Sequence, residues 1–142
     1  MADRTESSTT VGASPAQVMA VIADMEAYPD WNAEVKRVEV LSRHADGRPE
    51  RVRFVLDAGL IKDTYVLAYA WTEASTSWSL VEASTLTAMD GSYALREVPG
   101  GTDVTYRLTV DVKVPMLGIM KRKAEQVVVD RALKGLKQRV EG

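Results

Sequence analysis

Apolar positions recur along the chain with two different periods, and the places where the period changes mark out the elements. Arg4 to Val11 alternates loosely and is rich in Thr and Ser, which predicts an edge strand with one face in solvent. Ser14-Pro15-Ala16-Gln17 then reads as a helix start. Serine can cap by accepting from the backbone N–H of Gln17, proline is tolerated in the first turn, and the Gln17 side chain can reach back. Val18, Met19, Val21, Ile22 and Met25 follow at spacings of three and four, so this helix carries a buried stripe. Pro29 disfavours helical geometry at Tyr28, which stops the helix near Met25. It leaves Tyr28-Pro29-Asp30-Trp31-Asn32 as a compact connection with two aromatic rings to bury.

From Glu34 to Val114 the period is two. Strands are predicted at Glu34 to Ser42, Glu50 to Asp57, Lys62 to Trp71, Ser77 to Glu82, Leu86 to Glu97 and Asp103 to Val114, in a stretch rich in valine. The gaps are too short for helical crossovers, so consecutive strands are antiparallel neighbours in a six-strand meander. Pro115 closes the last strand, and Met116 to Val140 is helix-forming, a rod of roughly 36 Å at ~1.5 Å per residue. Its apolar residues form two stripes: Met116, Met120, Ala124, Val127 and Val128 on one side, Val129, Leu133, Leu136 and Val140 on another. A helix apolar on two sides is embedded, either wrapped by sheet or bent near Gly118 or Val129.

Strand parity sorts the two faces of the meander. Val52, Phe54 and Leu56 share one face, as do Tyr65, Leu67, Tyr69 and Trp71, then Trp78, Leu80 and Glu82, then Gly91, Tyr93 and Leu95. Val104, Tyr106, Leu108, Val110 and Val112 continue it. Such a face, apolar and aromatic with scattered hydroxyls, suits the inside of a curved sheet closed around a long helix. Packing into a plain core and lining a pocket are both open to it.

Composition narrows the chemistry. The 142 residues allow one core, and 46% hydrophobic with 27% charged residues is the balance of an ordinary globular protein. A net charge of -2 offers no positive field for nucleic acid, so no nucleic-acid partner is expected. Without cysteine there is no disulfide, thiolate metal ligand or cysteine nucleophile, and the single histidine, His44, sits beside a turn; no metal and no cofactor are expected. The uncharged run from Ser7 to Ala23 is too polar to span a bilayer, and MADRTESS has no apolar signal core, so the expected location is cytoplasmic.

Four segments carry a family resemblance: Ala13-Ser14-Pro15-Ala16-Gln17-Val18 after the opening strand, Tyr28-Pro29-Asp30-Trp31 leading to Val35, Asp90-Gly91-Ser92-Tyr93-Ala94-Leu95, and Gly100-Gly101-Thr102-Asp103-Val104-Thr105-Tyr106. In this order the chain resembles, over nearly its whole length, the START-like helix-grip superfamily of polyketide cyclase/dehydrase and lipid transport proteins, particularly its small coenzyme Q-binding-like bacterial members. The resemblance implies an α+β helix-grip fold, with a curved antiparallel sheet of six to seven strands around the C-terminal helix and two short helices after the first strand. It further implies that residues 1–142 form a single domain with an internal cavity for a lipid, isoprenoid, quinone or polyketide. The wall expected from this reading is Trp31, Phe54, Leu56, Tyr65, Leu67, Tyr69, Trp78, Leu80, Tyr93, Leu95, Tyr106, Leu108, Met120 and Ala124. The tyrosines would set hydroxyls on an oily surface where a ligand oxygen could meet them.

Candidates for catalysis are few. Glu82 shares the parity of Trp78 and Leu80, and an inward carboxylate there could act as acid or base; Tyr93 is the other candidate, for a polyketide aromatase/cyclase or dehydratase. A binding protein without catalysis is the leading reading. A ribosome-associated or protein-interaction role is a third, also drawn from the resemblance, and the acidic overall charge counts against it. Lys121 to Gly142 holds seven basic and three acidic residues; a solvated helix face is the simpler account, and Lys121-Arg122-Lys123 could in addition make transient contact with anionic lipid.

Overall fold

The computed structural model describes residues 5–59, 62–113 and 118–142. Its elements are β1 (Thr5–Val11), α1 (Pro15–Ala23), a 3-10 turn (Met25–Ala27), α2 (Tyr28–Trp31), β2 (Val35–Arg43), β3 (Pro49–Asp57), β4 (Lys62–Trp71), β5 (Ser75–Ala83), β6 (Leu86–Val98), β7 (Gly101–Val112) and α3 (Gly118–Glu141). Arg4, the predicted strand end at Val114, the stop at Pro115 and the helix start at Met116 lie outside the described residues.

Hairpins join β2 to β7 in chain order, and β1 adds to the far side of β7, giving one antiparallel sheet of order β1-β7-β6-β5-β4-β3-β2. Consecutive strands β1 and β2 therefore sit at opposite edges, and the helical connection between them closes the end of the curved sheet. Its first turn is fixed as expected: Ser14 Oγ accepts from Gln17 N at 3.2 Å and Gln17 Oε1 accepts from Ser14 N at 3.0 Å. Tyr28 departs from expectation. It is helical (φ -52°, ψ -41°) and opens α2 despite the following proline. Two hydrogen bonds override the local preference: the Tyr28 hydroxyl donates to the carbonyl of Ile22, and Asn32 N closes the turn on the Tyr28 carbonyl at 2.8 Å.

Helix α3 packs against β1, β7, α1 and α2 through a face made of Ala124, Val128, Val129, Ala132, Leu133 and Leu136. Gly135 allows close approach to α2, since a Cβ there would lie 2.2 Å from the Trp31 carbonyl oxygen. One charged residue sits in this apolar face. Glu125 is buried, with Oε1 accepting from Thr5 Oγ1 and Oε2 from Val110 N, each at 2.7 Å. Val110 lies two residues past the Thr5–Leu108 pair, and by accepting from its N–H the carboxylate pins α3 to β7. At the same end Asp63 of β4 accepts from the backbone N–H groups of Ser84, Thr85 and Leu86 at 3.2, 2.8 and 2.9 Å, holding the turn between β5 and β6.

Removing the Glu125 carboxylate strands two buried donors. Glu125→Ala is expected to lower unfolding free energy by about 2–4 kcal/mol, and Glu125→Gln, which keeps one acceptor oxygen, by less. Chemical denaturation checks this; a loss under about 1 kcal/mol for the alanine variant contradicts the pinning role.

Candidate functional site

Between the concave face of the sheet and the middle of α3 lies a cavity with about 50 Å³ of free space, room for a few water molecules. Phe54 and Leu56 of β3, Tyr65, Leu67 and Tyr69 of β4, Trp78 of β5, Met89 and Tyr93 of β6 and Tyr106 of β7 line it from the sheet. Tyr28, Asn32 and Val35 close one end, and Val128 and Ala132 of α3 form the roof. All five tyrosines of the chain and its one phenylalanine thus face the same small space.

The rings form a continuous wall. Phe54 stacks on Tyr65 with centroids 5.6 Å apart, Tyr69 meets Trp78 at 5.6 Å, Trp78 meets Tyr106 edge-on at 5.5 Å, and Tyr106 meets Tyr93 edge-on at 4.6 Å. Trp78 lies across from Gly91 in the β5–β6 register, and a Cβ at Gly91 would come within 2.6 Å of the indole. Glycine is what lets this ring lie flat on the next strand.

The hydroxyls fall into two groups. Tyr28 is tied to the Ile22 carbonyl, whereas those of Tyr65, Tyr69, Tyr93 and Tyr106 have no hydrogen-bond partner among the described residues. Burial pushes the ionisation of all five far above the ordinary tyrosine range. The proximity of Tyr106 raises Tyr28, Tyr65, Tyr69 and Tyr93 further, which places four hydroxyls within electrostatic reach of a fifth. No charged side chain is among the described lining residues. The site can therefore donate hydrogen bonds from neutral phenols into an apolar space.

Of the residues expected at this wall, Phe54, Leu56, Tyr65, Leu67, Tyr69, Trp78, Tyr93 and Tyr106 are brought together. Leu95 and Leu108 are buried in the core and do not line the cavity, Leu80 is half-buried against the core without lining it, and Ala124 is buried nearer the start of α3. Met120 is exposed, one turn before the buried face of α3 begins. Trp31 packs edge-on against Tyr28 at 4.9 Å but faces an outer groove beside Gly135, Gln138 and Arg139, because α2 turns Tyr28 inward in its place. Glu82 points outward. The β4–β5 register shifts between Val66 and Leu67, so that Leu67 faces Leu80 while Val66 faces Glu82; the extra residue, Val81, reverses the parity that put Glu82 inside.

Six lining residues were not anticipated: Tyr28, Asn32, Val35, Met89, Val128 and Ala132. Met89 follows from Gly91 by parity, and Val128 and Ala132 continue the Ala124 row at intervals of four. His44 is part-buried at the hairpin between β2 and β3, its Nε2 2.8 Å from the Tyr69 carbonyl oxygen, a tie between strands rather than a cavity group. Lys121 pairs with Asp111 at 2.7 Å, so the basic run at the start of α3 is not three free charges.

Two predictions come from the hydroxyls. Tyr28→Phe is expected to lower stability by about 1 kcal/mol, whereas Tyr93→Phe and Tyr106→Phe leave it nearly unchanged, since their hydroxyls open onto the cavity and bond no described residue; denaturation curves giving all three the same loss contradict the division. The second concerns pH. The folded state keeps the phenols protonated above the unfolded tyrosine value of ~10, so stability is fully present below pH ~10 and lost as pH rises beyond it. Tyrosinate absorbance should appear only together with loss of structure; smooth titration near pH 10 with the fold intact is the opposing result.

Known proteins share this architecture. A START superfamily protein from Mycobacterium smegmatis superposes with a TM-score of 0.89 at 26% identity, over 97% of this chain and 97% of the other. The protein TTHA0849 from Thermus thermophilus gives 0.85 at 25% identity, again over 97% of each chain. The Zhui aromatase/cyclase from Streptomyces sp. R1128 gives 0.82 over 99% of this chain and 94% of its own, and at 18% identity it speaks for the fold alone. No curated protein matches the chain in sequence. The family model for polyketide cyclase/dehydrase and lipid transport matches residues 2–141, and with the helix-grip fold in place the chain belongs to that family.

Proposed function

We propose that this chain is a container: one domain that takes up a lipophilic small molecule, such as an isoprenoid, quinone, lipid or polyketide, between the sheet and α3 and carries or sequesters it unchanged. The observation that carries this reading is the convergence of all five tyrosines and Trp78 on one uncharged space. A core needing only to be filled is built most simply from aliphatic side chains, whereas the hydroxyls of Tyr65, Tyr69, Tyr93 and Tyr106 open onto this space with no hydrogen-bond partner among the described residues, free to donate to whatever occupies it. The present free space of about 50 Å³ is below that of an organic ligand site, so uptake requires ring movement. Tyr65, Tyr69, Tyr93 and Tyr106 have no hydrogen bond to a described residue to break, and Met89 beside them has the rotatable, unbranched side chain that adapts to a new neighbour.

The activity named for the Zhui protein raises the aromatase/cyclase alternative. Phenols could stabilise an enolate oxygen, but such chemistry also needs a group to take a proton. With Glu82 outside, the polar side chains of the described lining are upward-shifted phenols and the Asn32 amide, which favours binding without turnover.

A panel of quinones, isoprenoids, fatty acids and aromatic polyketides tests the reading by thermal shift. A ligand at a hundred times its Kd stabilises by about 2.7 kcal/mol, a rise of several degrees in Tm for a domain of this size. A flat response to the whole panel, with only the apo mass in native mass spectrometry, contradicts it.

A further inference from the structure

We propose that the cavity selects an uncharged, ring-based molecule carrying at least two acceptor oxygens, and that it rejects ionised fatty acids; this rests on the reading of the cavity as a ligand site. The wall supplies four donors with no partner among the described residues, and it supplies them from three strands. Tyr65 and Tyr69 come from β4, while Tyr93 and Tyr106 face each other directly across the β6–β7 pair. A fatty acid has one polar end and would leave most of these hydroxyls against methylenes. A molecule with oxygens distributed over its rings can meet several of them.

Charge selects in the same direction. A carboxylate entering this space would shed its water and find phenols and one amide, with no cationic side chain among the described lining residues to balance it. A neutral carbonyl or ether oxygen loses far less on entry and accepts from the same phenols. The surrounding rings, spaced 4.6–5.7 Å from one another around Trp78, Tyr93 and Tyr106, offer edges and faces suited to a further aromatic ring.

Three bicyclic probes of similar size separate these terms: chromone, with a ketone and a ring oxygen; naphthalene, with none; and 2-naphthoate, with an ionised carboxylate. Binding is measured by calorimetry to the wild-type protein and to Tyr93→Phe and Tyr106→Phe. We expect chromone to bind at least tenfold more tightly than naphthalene and 2-naphthoate to bind more weakly than either. Each Tyr→Phe change should weaken chromone three- to tenfold and leave naphthalene within twofold. Equal affinity for chromone and naphthalene, or equal losses for both in the variants, overturns the acceptor-oxygen proposal and leaves the container reading standing. Tightest binding of 2-naphthoate overturns it as well. No binding of any probe, together with no shift across the wider panel, removes both.

Discussion

One helix has to cover the apolar face of seven strands. At about 4.8 Å between neighbours the sheet is close to 29 Å wide, whereas a helix with its side chains is 10–12 Å across. Curvature and the short helices α1 and α2 make up part of the difference, and α3 itself packs chiefly on β1 and β7. Over β3 to β6 the distance to the helix is bridged by the sheet's own side chains, and these are the longest apolar ones available: Phe54, Tyr65, Tyr69, Trp78 and Tyr93. The aromatic wall and the space it encloses are thus consequences of the topology. Glu125 fixes where the helix sits over the sheet, and Gly91 fixes where the largest ring lies.

Topology explains rings but not hydroxyls. Phenylalanine fills the same volume as tyrosine and leaves nothing unsatisfied, yet the cavity holds five tyrosines and one phenylalanine. Among the described residues only Tyr28 uses its hydroxyl within the fold, bracing α2 against the end of α1. The other four hydroxyls open onto the cavity, where on the proposed reading a bound molecule meets them. Burial raises the ionisation of these phenols and keeps them neutral hydrogen-bond donors.

Much of this was legible in the chain because it depends on short-range rules. The capping box at Ser14, the hairpin spacing that makes the meander antiparallel, and the inward parity of Phe54, Tyr65, Tyr69, Tyr93 and Tyr106 each need only a few neighbouring residues. What escaped depends on tertiary events. The bulge at Val81 reverses Glu82 without any glycine or proline to announce it. The inward choice of Tyr28 over Trp31 rests on a hydrogen bond to Ile22 and on the fit of Gly135 against α2, both invisible to periodicity. Glu125 was detectable in principle, as a carboxylate three and four residues before Val128 and Val129 on a buried face, but its partners Thr5 and Val110 are distant in sequence.

On the proposed reading, the hydroxyls of Tyr65, Tyr69, Tyr93 and Tyr106, unpaired among the described residues, belong to a ligand. A crystal structure of the protein loaded with the ligand that gives the largest thermal shift tests it most directly. The account predicts that molecule between the sheet and α3, with its oxygens about 2.7–2.8 Å from at least two of the hydroxyls of Tyr65, Tyr69, Tyr93 and Tyr106. A ligand seated on the outer surface, with the cavity closed and those hydroxyls turned onto backbone carbonyls, would contradict it.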